Sequence, residues 1–175
     1  GVNGEPEVLI DPNTLSDDGT VSMASTELSP KASYLAYMLS DGGTDWKTIH
    51  VRNTSSKEDL TDTIEGIKFS NIAWLPDESG FFYSRYPKDE ADKYDDSQTV
   101  SIYFHAIGTE QSADKKVFAF DNKPTWNPYP SVVQDGNTLL ISVFEGYQAN
   151  GVYAKSLTKE NSHLVPVFDK WDGRY

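Results

Sequence analysis

The three histidines, His50, His105 and His163, are the first residues to test for catalytic or metal-binding chemistry. His50 and His105 each lie in a run of alternating polar and apolar residues, which is typical of a half-buried strand. His163 lies in a polar turn. Their spacing does not match that of a zinc site on one helix or ribbon. The sequence therefore predicts that all three histidines are structural and that no metal is bound.

Nucleophilic catalysis and nucleotide binding have no motif in this chain. A serine nucleophile on a strained turn would appear as G-x-S-x-G, which does not occur, and neither a P-loop nor G-x-G-x-x-G is present. Cysteine is absent, which excludes thiol catalysis and disulfides. We predict no catalytic residue and no cofactor. A pair of glycosidase carboxylates stays open, because such acids lie far apart in a chain and 27 acidic residues are available.

The acidic segment 88–96 has the sequence KDEADKYDD and admits two interpretations. It could be a calcium loop, but the alternating carboxylate spacing and the turn glycine of an EF-hand are missing. A long, mobile hairpin loop needs neither feature, and we favour it.

The amino-acid composition argues against some classes of binding partner. The formal net charge of −12 argues against nucleic acid and against an anionic membrane surface. No apolar run approaches the roughly 20 residues of a membrane helix, and the first residues lack a signal pattern. The absence of cysteine suits a cytoplasmic protein, with the periplasm as a possible alternative. Both ends look cut, so we expect a piece of a longer protein.

The candidate residues lie within a pattern of strands and turns that recurs along the chain. A short strand, a polar turn with Pro, Asp or Gly, and a longer apolar strand occur at 28–37, 74–83 and 132–141. Pro30, Pro76 and Gln134 occupy equivalent positions, which gives repeats of 46 and 58 residues. The alignment produces two apolar columns, Leu35/Phe81/Leu139 and Tyr37/Tyr83/Ile141. Repeats of this size with four short strands are typical of propeller blades.

The predicted fold is therefore all-β, a partial β-propeller of about three four-stranded antiparallel blades. A lead-in strand is expected at 7–10, blade 1 at about 21–67, blade 2 at about 69–120 and blade 3 at about 130–168. The whole chain, 1–175, would be part of one propeller domain. Pro166 indicates an edge strand, because proline cannot donate to a β-ladder.

Several motifs, taken together and in order, resemble the propeller domain of the prolyl oligopeptidase family. They are EVLIDPN at 7–13, DWKTI at 45–49, GFFYSRYP at 80–87, the GT pair at 108–109 and F-x-x-x-P-x-W at 120–126. They cover most of the chain to about residue 126 and are sparser beyond it. The resemblance implies a seven-bladed propeller, of which this chain would supply about the first three blades.

The resemblance also implies a function. In this family the propeller caps an α/β-hydrolase domain that carries the catalytic Ser, Asp and His, and only short peptides reach them for cleavage after proline. The hydrolase domain is absent here, so the chain alone is expected to be inactive. Its expected partners are that hydrolase domain and short proline-containing peptides. A non-enzymatic propeller scaffold is the alternative, and a relative that prefers basic residues is a lesser one.

One position is implied to touch substrate. In the family, the Phe of the F-x-x-x-P-x-W segment faces the interdomain cavity and lines the pocket for residues upstream of the proline. Here that residue is Phe120, with a buried blade position as the alternative. The segment 126–130 departs from the small residues usual in the family, and we interpret it as a packed crossing between blades rather than as a groove.

An arc of three blades raises a physical problem. Blades bury their faces against neighbours on both sides, so an open arc leaves two faces uncovered. We expect the isolated chain either to be less stable than its parent or to self-associate through those faces.

Overall fold

The computed structural model describes residues 4–175, which fold into three four-stranded antiparallel sheets. In each sheet, called blade 1, 2 or 3 below, the strands are neighbours in chain order. The strands are β1 (Ser22–Leu28), β2 (Tyr34–Ser40), β3 (Lys47–Asn53), β4 (Asp59–Ile67), β5 (Ala73–Trp74), β6 (Gly80–Arg85), β7 (Ser101–Ala106), β8 (Lys115–Ala119), β9 (Asn127–Val132), β10 (Thr138–Glu145), β11 (Ala149–Ser156) and β12 (Val165–Phe168). The described helices are short 3₁₀ turns at Pro12–Thr14 and Gln111–Ala113, and none could cross a membrane.

The predicted all-β class and the four-stranded antiparallel blades are confirmed. The strands of the three blades span 22–67, 73–119 and 127–168, where the sequence predicts blades at 21–67, 69–120 and 130–168. β12, with Pro166, lies at the edge of its sheet.

Burial along the strands follows from whether one face or both faces are covered. In β3 the buried Ile49 and Val51 flank the half-buried His50, which is the alternation of a strand with one well-covered face. In β6 every residue from Gly80 to Ser84 is buried. Continuous burial of this kind requires packing on both faces of the sheet. Blade 2 is therefore the middle layer of the arc.

Two apolar cores lie between the three blades. The first joins Ala36 and Met38 of β2 to Phe81 and Tyr83 of β6. The second joins Phe82, on the opposite face of β6, to residues of β10 that include Leu139, Ile141 and Val143. Because side chains alternate across a strand, β6 supplies both cores from successive residues.

The residues of the two aligned apolar columns lie on the face of each blade that points toward the preceding blade. Phe81 and Tyr83 pack against blade 1, and Leu139 and Ile141 pack against blade 2. Their equivalents in blade 1, Leu35 and Tyr37, share the strand face opposite the first core. Within residues 4–175 no other blade covers that face.

Gly80 shows how closely the strands of blade 2 approach each other. A Cβ at this position would lie 2.2 Å from the carbonyl oxygen of His105 and 2.6 Å from the ring of Phe104. No larger residue fits unless the β6–β7 ladder shifts, so glycine is required where β6 begins.

The predicted lead-in strand at 7–10 is wrong. The structure has no strand there, since β1 pairs only with β2 and leaves residues 7–10 without a ladder partner. Instead, side chains of blade 1 hold this segment. The carbonyl oxygen of Leu9 accepts a hydrogen bond from Arg52 Nη1 (2.8 Å), and Glu7 pairs with Lys57 (2.7 Å).

The interpretation of 126–130 as a crossing between blades is also corrected. Residues from Asn127 onward form β9, an edge strand of blade 3 that pairs with β10. Pro128 and Pro130 concealed this strand in the sequence. An edge strand tolerates proline because only one side of its backbone needs hydrogen-bond partners.

Candidate substrate-facing surface and inter-blade contacts

The alternating strand directions give the arc two loop faces. We call the side with connections 41–46, 68–72, 86–100, 120–126 and 146–148 the crossover face, because the chain passes from blade to blade there. The side with connections 29–33, 54–58, 75–79, 107–114, 133–137 and 157–164 is the turn face. Each face carries a different set of contacts between blades.

Phe120 lies on the crossover face, directly after β8 ends at Ala119. Its half-buried ring packs edge-on against three others: Phe118 (centroids 4.8 Å apart), Trp126 (5.0 Å) and Tyr153 of blade 3 (5.2 Å). Phe120 therefore belongs to the aromatic seam between blades 2 and 3 and keeps part of its ring uncovered. Its role as a substrate-pocket residue stays a prediction.

A second group of aromatic residues on the crossover face joins blade 1 to the long loop of blade 2. The ring of Trp46 lies 5.7 Å from Tyr86 and 6.2 Å from Tyr94. Lys68 Nζ sits 5.0 Å from the centre of the Trp46 ring and pairs with Asp96. The loop 86–100 is thus fastened to blade 1 as well as to its own strands.

The acidic segment of that loop uses its carboxylates to shape its own backbone. Asp89 Oδ1 accepts hydrogen bonds from the amides of Ala91 (2.8 Å) and Lys93 (2.9 Å), and Lys88 forms a β-bridge with Tyr94. Among residues 4–175, no three His, Cys, Asp or Glu side chains are grouped so that they could hold a metal ion.

A buried polar network lies toward the turn face, between blades 1 and 2. His105 of β7 makes two short contacts, from Nδ1 to Asp114 Oδ1 (2.7 Å) and from Nε2 to Asp62 Oδ1 on β4 (2.9 Å). All three side chains are fully buried. Tyr83 donates to Asp114 Oδ2 (2.5 Å), and the amide of Gly108 donates to Asp62 Oδ1 (2.7 Å). The network ties the outer strand of blade 1 to blade 2.

The two carboxylates set the charge of His105. Burial by itself lowers the pKa of the imidazole, but the hydrogen bonds and charges of Asp114 and Asp62 outweigh burial and raise the pKa to about 9. Burial raises the pKa of Asp62, and the bonds from His105 and Gly108 reverse this, so the carboxyl pKa ends below its usual value. At neutral pH the network is an imidazolium between two carboxylates.

This arrangement resembles part of a catalytic triad but cannot perform its chemistry. A triad imidazole keeps one nitrogen free to take a proton from a nucleophile, whereas both nitrogens of His105 face carboxylates. An imidazolium is already protonated and cannot act as a general base. His105 therefore serves the architecture, in line with its place in an alternating strand. His50 stacks on Tyr37 (5.5 Å), and His163 is exposed in a turn.

A second polar junction joins the turns of blades 1 and 2. Glu78, buried in the 75–79 turn, accepts hydrogen bonds from Ser29 Oγ (2.5 Å) and from the amide of Lys31 (2.7 Å). Burial raises the pKa of Glu78, but these bonds and those of Ser33 outweigh it and lower the pKa to about 2. The carboxylate therefore stays ionised and holds the two turns together.

Sequence reasoning missed both junctions. Asp62 lies 43 residues from His105, and Glu78 lies 49 residues from Ser29. Each is one of 27 acidic residues, and nothing in the sequence around Asp62 marks it. A signal exists only for Glu78, which follows a Pro-Asp turn in the second copy of the repeat. Its partners could not be inferred without the packing of neighbouring blades.

Comparison with known proteins agrees with this architecture. Residues 1–175 match the family described as the N-terminal beta-propeller domain of prolyl oligopeptidase. The chain belongs to the prolyl oligopeptidase family. The chain is 36% identical to the prolyl endopeptidase of Elizabethkingia miricola over 167 residues, which cover 94% of this chain and 23% of the relative. It is also 36% identical over 171 residues to the Elizabethkingia meningoseptica enzyme, covering 97% of this chain and 24% of that one.

Solved structures give the same result. A structure from a study of two prolyl endopeptidases superposes with a TM-score of 0.81 at 29% identity, covering 94% of this chain and 23% of that one. A substrate-bound prolyl oligopeptidase B from Galerina marginata gives a TM-score of 0.80 at 30% identity, covering 92% and 25%. The chain thus spans about a quarter of the length of these relatives. The resemblance seen in the sequence motifs is confirmed.

Proposed function

We propose that this chain is part of the propeller of a serine endopeptidase that cleaves short peptides after proline. The propeller would restrict access to a catalytic triad that lies outside residues 1–175. The observation that carries the proposal is the alignment of nearly the whole chain with proteins named prolyl endopeptidase at 36% identity. The chemistry of the described residues supports it, since the one buried imidazole bound to carboxylates is not positioned as a base.

Restricting access requires blades that do not separate easily. Here blades 1 and 2 are joined by an apolar core, the Asp62–His105–Asp114 network and the Glu78 junction. Blades 2 and 3 are joined by a second core and by the aromatic seam around Phe120. An enclosure built in this way would exclude water and large polypeptides from a reaction chamber.

The crossover face is the surface that we assign to the α/β-hydrolase domain of the parent protein. It carries Phe120, the position implied to line the pocket upstream of proline, and the half-buried aromatic side chains Trp46 and Trp126. Short proline-containing peptides would pass over this face. The cytoplasmic location suggested by the lack of cysteine remains a prediction.

Hydrolysis of a short chromogenic peptide with proline before the reporter group tests the proposal. The 175-residue chain alone should show no turnover, and the longer parent protein should cleave the peptide. A matched peptide with lysine before the reporter separates the proline-specific activity from that of a relative that prefers basic residues. Turnover by the chain alone would contradict the proposal, and inactivity of the parent would favour a scaffold.

A further inference from the structure

A cavity of about 410 Å³ lies where the 86–100 loop of blade 2 meets the 3₁₀ turn Gln111–Ala113. Its lining includes Arg85, Lys88, Tyr94, Tyr103, Gln111 and Ser112. The volume is in the range of small-molecule sites, and the lining combines aromatic walls with a few polar groups, as such sites do. Neither the aromatic seam around Phe120 nor the buried histidine network lines it.

Arg85 is a cation that lines this cavity and has no ion-pair partner among residues 4–175. Its guanidinium carbon lies 3.7 Å from the centre of the Tyr103 ring, and Nη1 makes a long contact of 3.4 Å to the Tyr83 hydroxyl. Among residues 4–175 it has no carboxylate within ion-pair distance. Arg52 differs, because two of its nitrogens bind Asp59 at 2.8 and 2.7 Å. The Arg85 guanidinium, which has five N–H donors, therefore binds no carboxylate within the described residues.

Charges of both signs lie near the cavity, among them Asp114, which accepts a hydrogen bond from the Tyr83 hydroxyl that Arg85 contacts. Lys88 Nζ lies 3.0 Å from Asp92, its ion-pair partner, and Lys116 Nζ lies 6.0 Å from the Tyr103 ring. The hydrogen bond to Asp92 is the main cause that raises the pKa of Lys88, and the charge of Glu65, the neighbouring acid of blade 1, adds a smaller contribution. Arg85 and Lys116 are thus cations without a salt bridge among the described residues.

The shape of the guanidinium and the walls around it indicate the kind of anion. A guanidinium presents parallel N–H groups that match the two oxygens of a carboxylate, and stacking on Tyr103 keeps its plane fixed. The half-buried ring of Tyr94 offers apolar surface beside that charge, whereas Tyr103 is 9% exposed and lies under the guanidinium. The Ser112 hydroxyl, which makes no hydrogen bond within the described part of the chain, supplies a further donor.

We propose that this cavity binds a small organic carboxylate, with the carboxylate on Arg85 and an apolar body against Tyr94. The ligand has two possible sources with the same chemistry: a free small acid, or the C-terminal carboxylate of a short peptide. Only the peptide source rests on the proposed function. Binding of a free acid would stand even if the chain were not part of a peptidase.

Calorimetric titration of the 175-residue chain tests the proposal without any substitution. The probes are N-acetyl-phenylalanine, an N-acetylated tripeptide that ends in phenylalanine with a free carboxylate, the same tripeptide as its amide, and inorganic phosphate. The two carboxylates should bind at least about tenfold more tightly than the amide, because the amide cannot form the charged hydrogen-bonded pair with Arg85. They should also bind at least about tenfold more tightly than phosphate, which keeps the charge but has no apolar body to contact the aromatic wall. Tighter binding of the tripeptide acid than of N-acetyl-phenylalanine assigns the peptide source, and the reverse assigns the free acid.

Substitutions locate the site. Arg85→Gln should weaken binding of the better carboxylate at least about tenfold. Arg52→Gln removes the same charge from an arginine that already has a carboxylate partner, and should leave binding within about twofold. Lys88→Gln, on the exposed rim, should fold normally and weaken binding by a smaller factor. Circular dichroism checks that each variant is folded.

Three results would overturn the proposal: equal binding of acid and amide, unchanged binding in Arg85→Gln, or equal losses in Arg85→Gln and Arg52→Gln. If Arg85→Gln does not fold, the acid–amide comparison on the unmodified chain and the Lys88→Gln variant still decide the matter.

Discussion

At the scale of single residues, the fold controls the charge of His105 through two buried carboxyl groups. Its imidazolium lies fully buried between Asp62 and Asp114, which belong to neighbouring blades. Removing one partner from a buried ion group leaves an uncompensated charge, which is costly. The buried polar network, one of the contacts that join blades 1 and 2, therefore depends on the protonation of one histidine.

The stability of the chain should consequently fall as the pH rises from about 6.5 to about 9. The pKa of His105 is raised to about 9 in the folded state, against about 6.5 for an unperturbed histidine. A raised folded-state pKa contributes stability that is complete below the unfolded value and is lost as pH passes the folded value. The contribution is on the order of 3 kcal/mol, measured as the free energy of unfolding by urea at pH 6 and pH 9.5.

A histidine control identifies the group responsible. His163→Gln alters an exposed ring and should keep the pH dependence. NMR titration of the His105 ring should show it still protonated at pH 7.5. A ring that titrates near 6.5 would contradict the assigned charge, as would equal stability at pH 6 and pH 9.5.

Phe120 is the other residue with a specific expectation. In the longer parent protein, Phe120→Ala should raise KM for peptides that extend several residues upstream of proline, and should affect a minimal proline substrate less. Phe118→Ala is the matched control, since its ring packs against Phe120 in the same seam. Equal KM changes in the two variants would show that the effect comes from seam packing and not from a substrate contact.

At the scale of elements, the strands could be predicted because each carries its own local pattern. The repeat of turn and apolar strand located β2, β6 and β10, and the alternation around His50 located β3. Pro166 correctly marked an edge strand. These patterns are local, so the strands can be recognised in the sequence without knowing which distant residues pack together.

The features that were predicted wrongly or missed in the sequence have physical causes. Residues 7–10 have the composition of a strand but no neighbouring strand with free backbone groups, so side chains hold them instead. The prolines of β9 suggested a rigid crossing, although an edge strand accepts them. The Glu78 and His105 junctions join residues more than 40 positions apart, a separation that local patterns do not encode.

The close approach of β6 and β7 gives a prediction at this scale. Gly80→Ala should destabilise the chain by about 1–3 kcal/mol or more, because the added methyl group would overlap the carbonyl of His105. Gly173→Ala is the control, since nothing lies within 4 Å of its added Cβ. Chemical unfolding of both variants gives the comparison. A small, equal loss for the two would contradict the packing described for β6.

At the scale of the whole molecule, the described arc has two uncovered ends. Leu28 of blade 1 is 49% exposed, and in blade 3 Val165, Val167 and Phe168 are each 46% exposed or more. Exposed apolar groups of this kind promote association. We expect sedimentation velocity to show self-association of the isolated chain, or dye binding to show accessible apolar surface. A stable monomer that binds no such dye would contradict this expectation.

The central claim is that these blades limit what reaches a peptidase active site. The most direct measurement compares kcat/KM of the longer parent protein for a short proline-containing peptide and for an unfolded protein chain that contains the same proline sequence. We expect efficient cleavage of the peptide and little or no cleavage of the protein chain, because a propeller that covers the active site would admit only small substrates. Comparable cleavage of both would contradict the assignment of this propeller as a size-selective barrier.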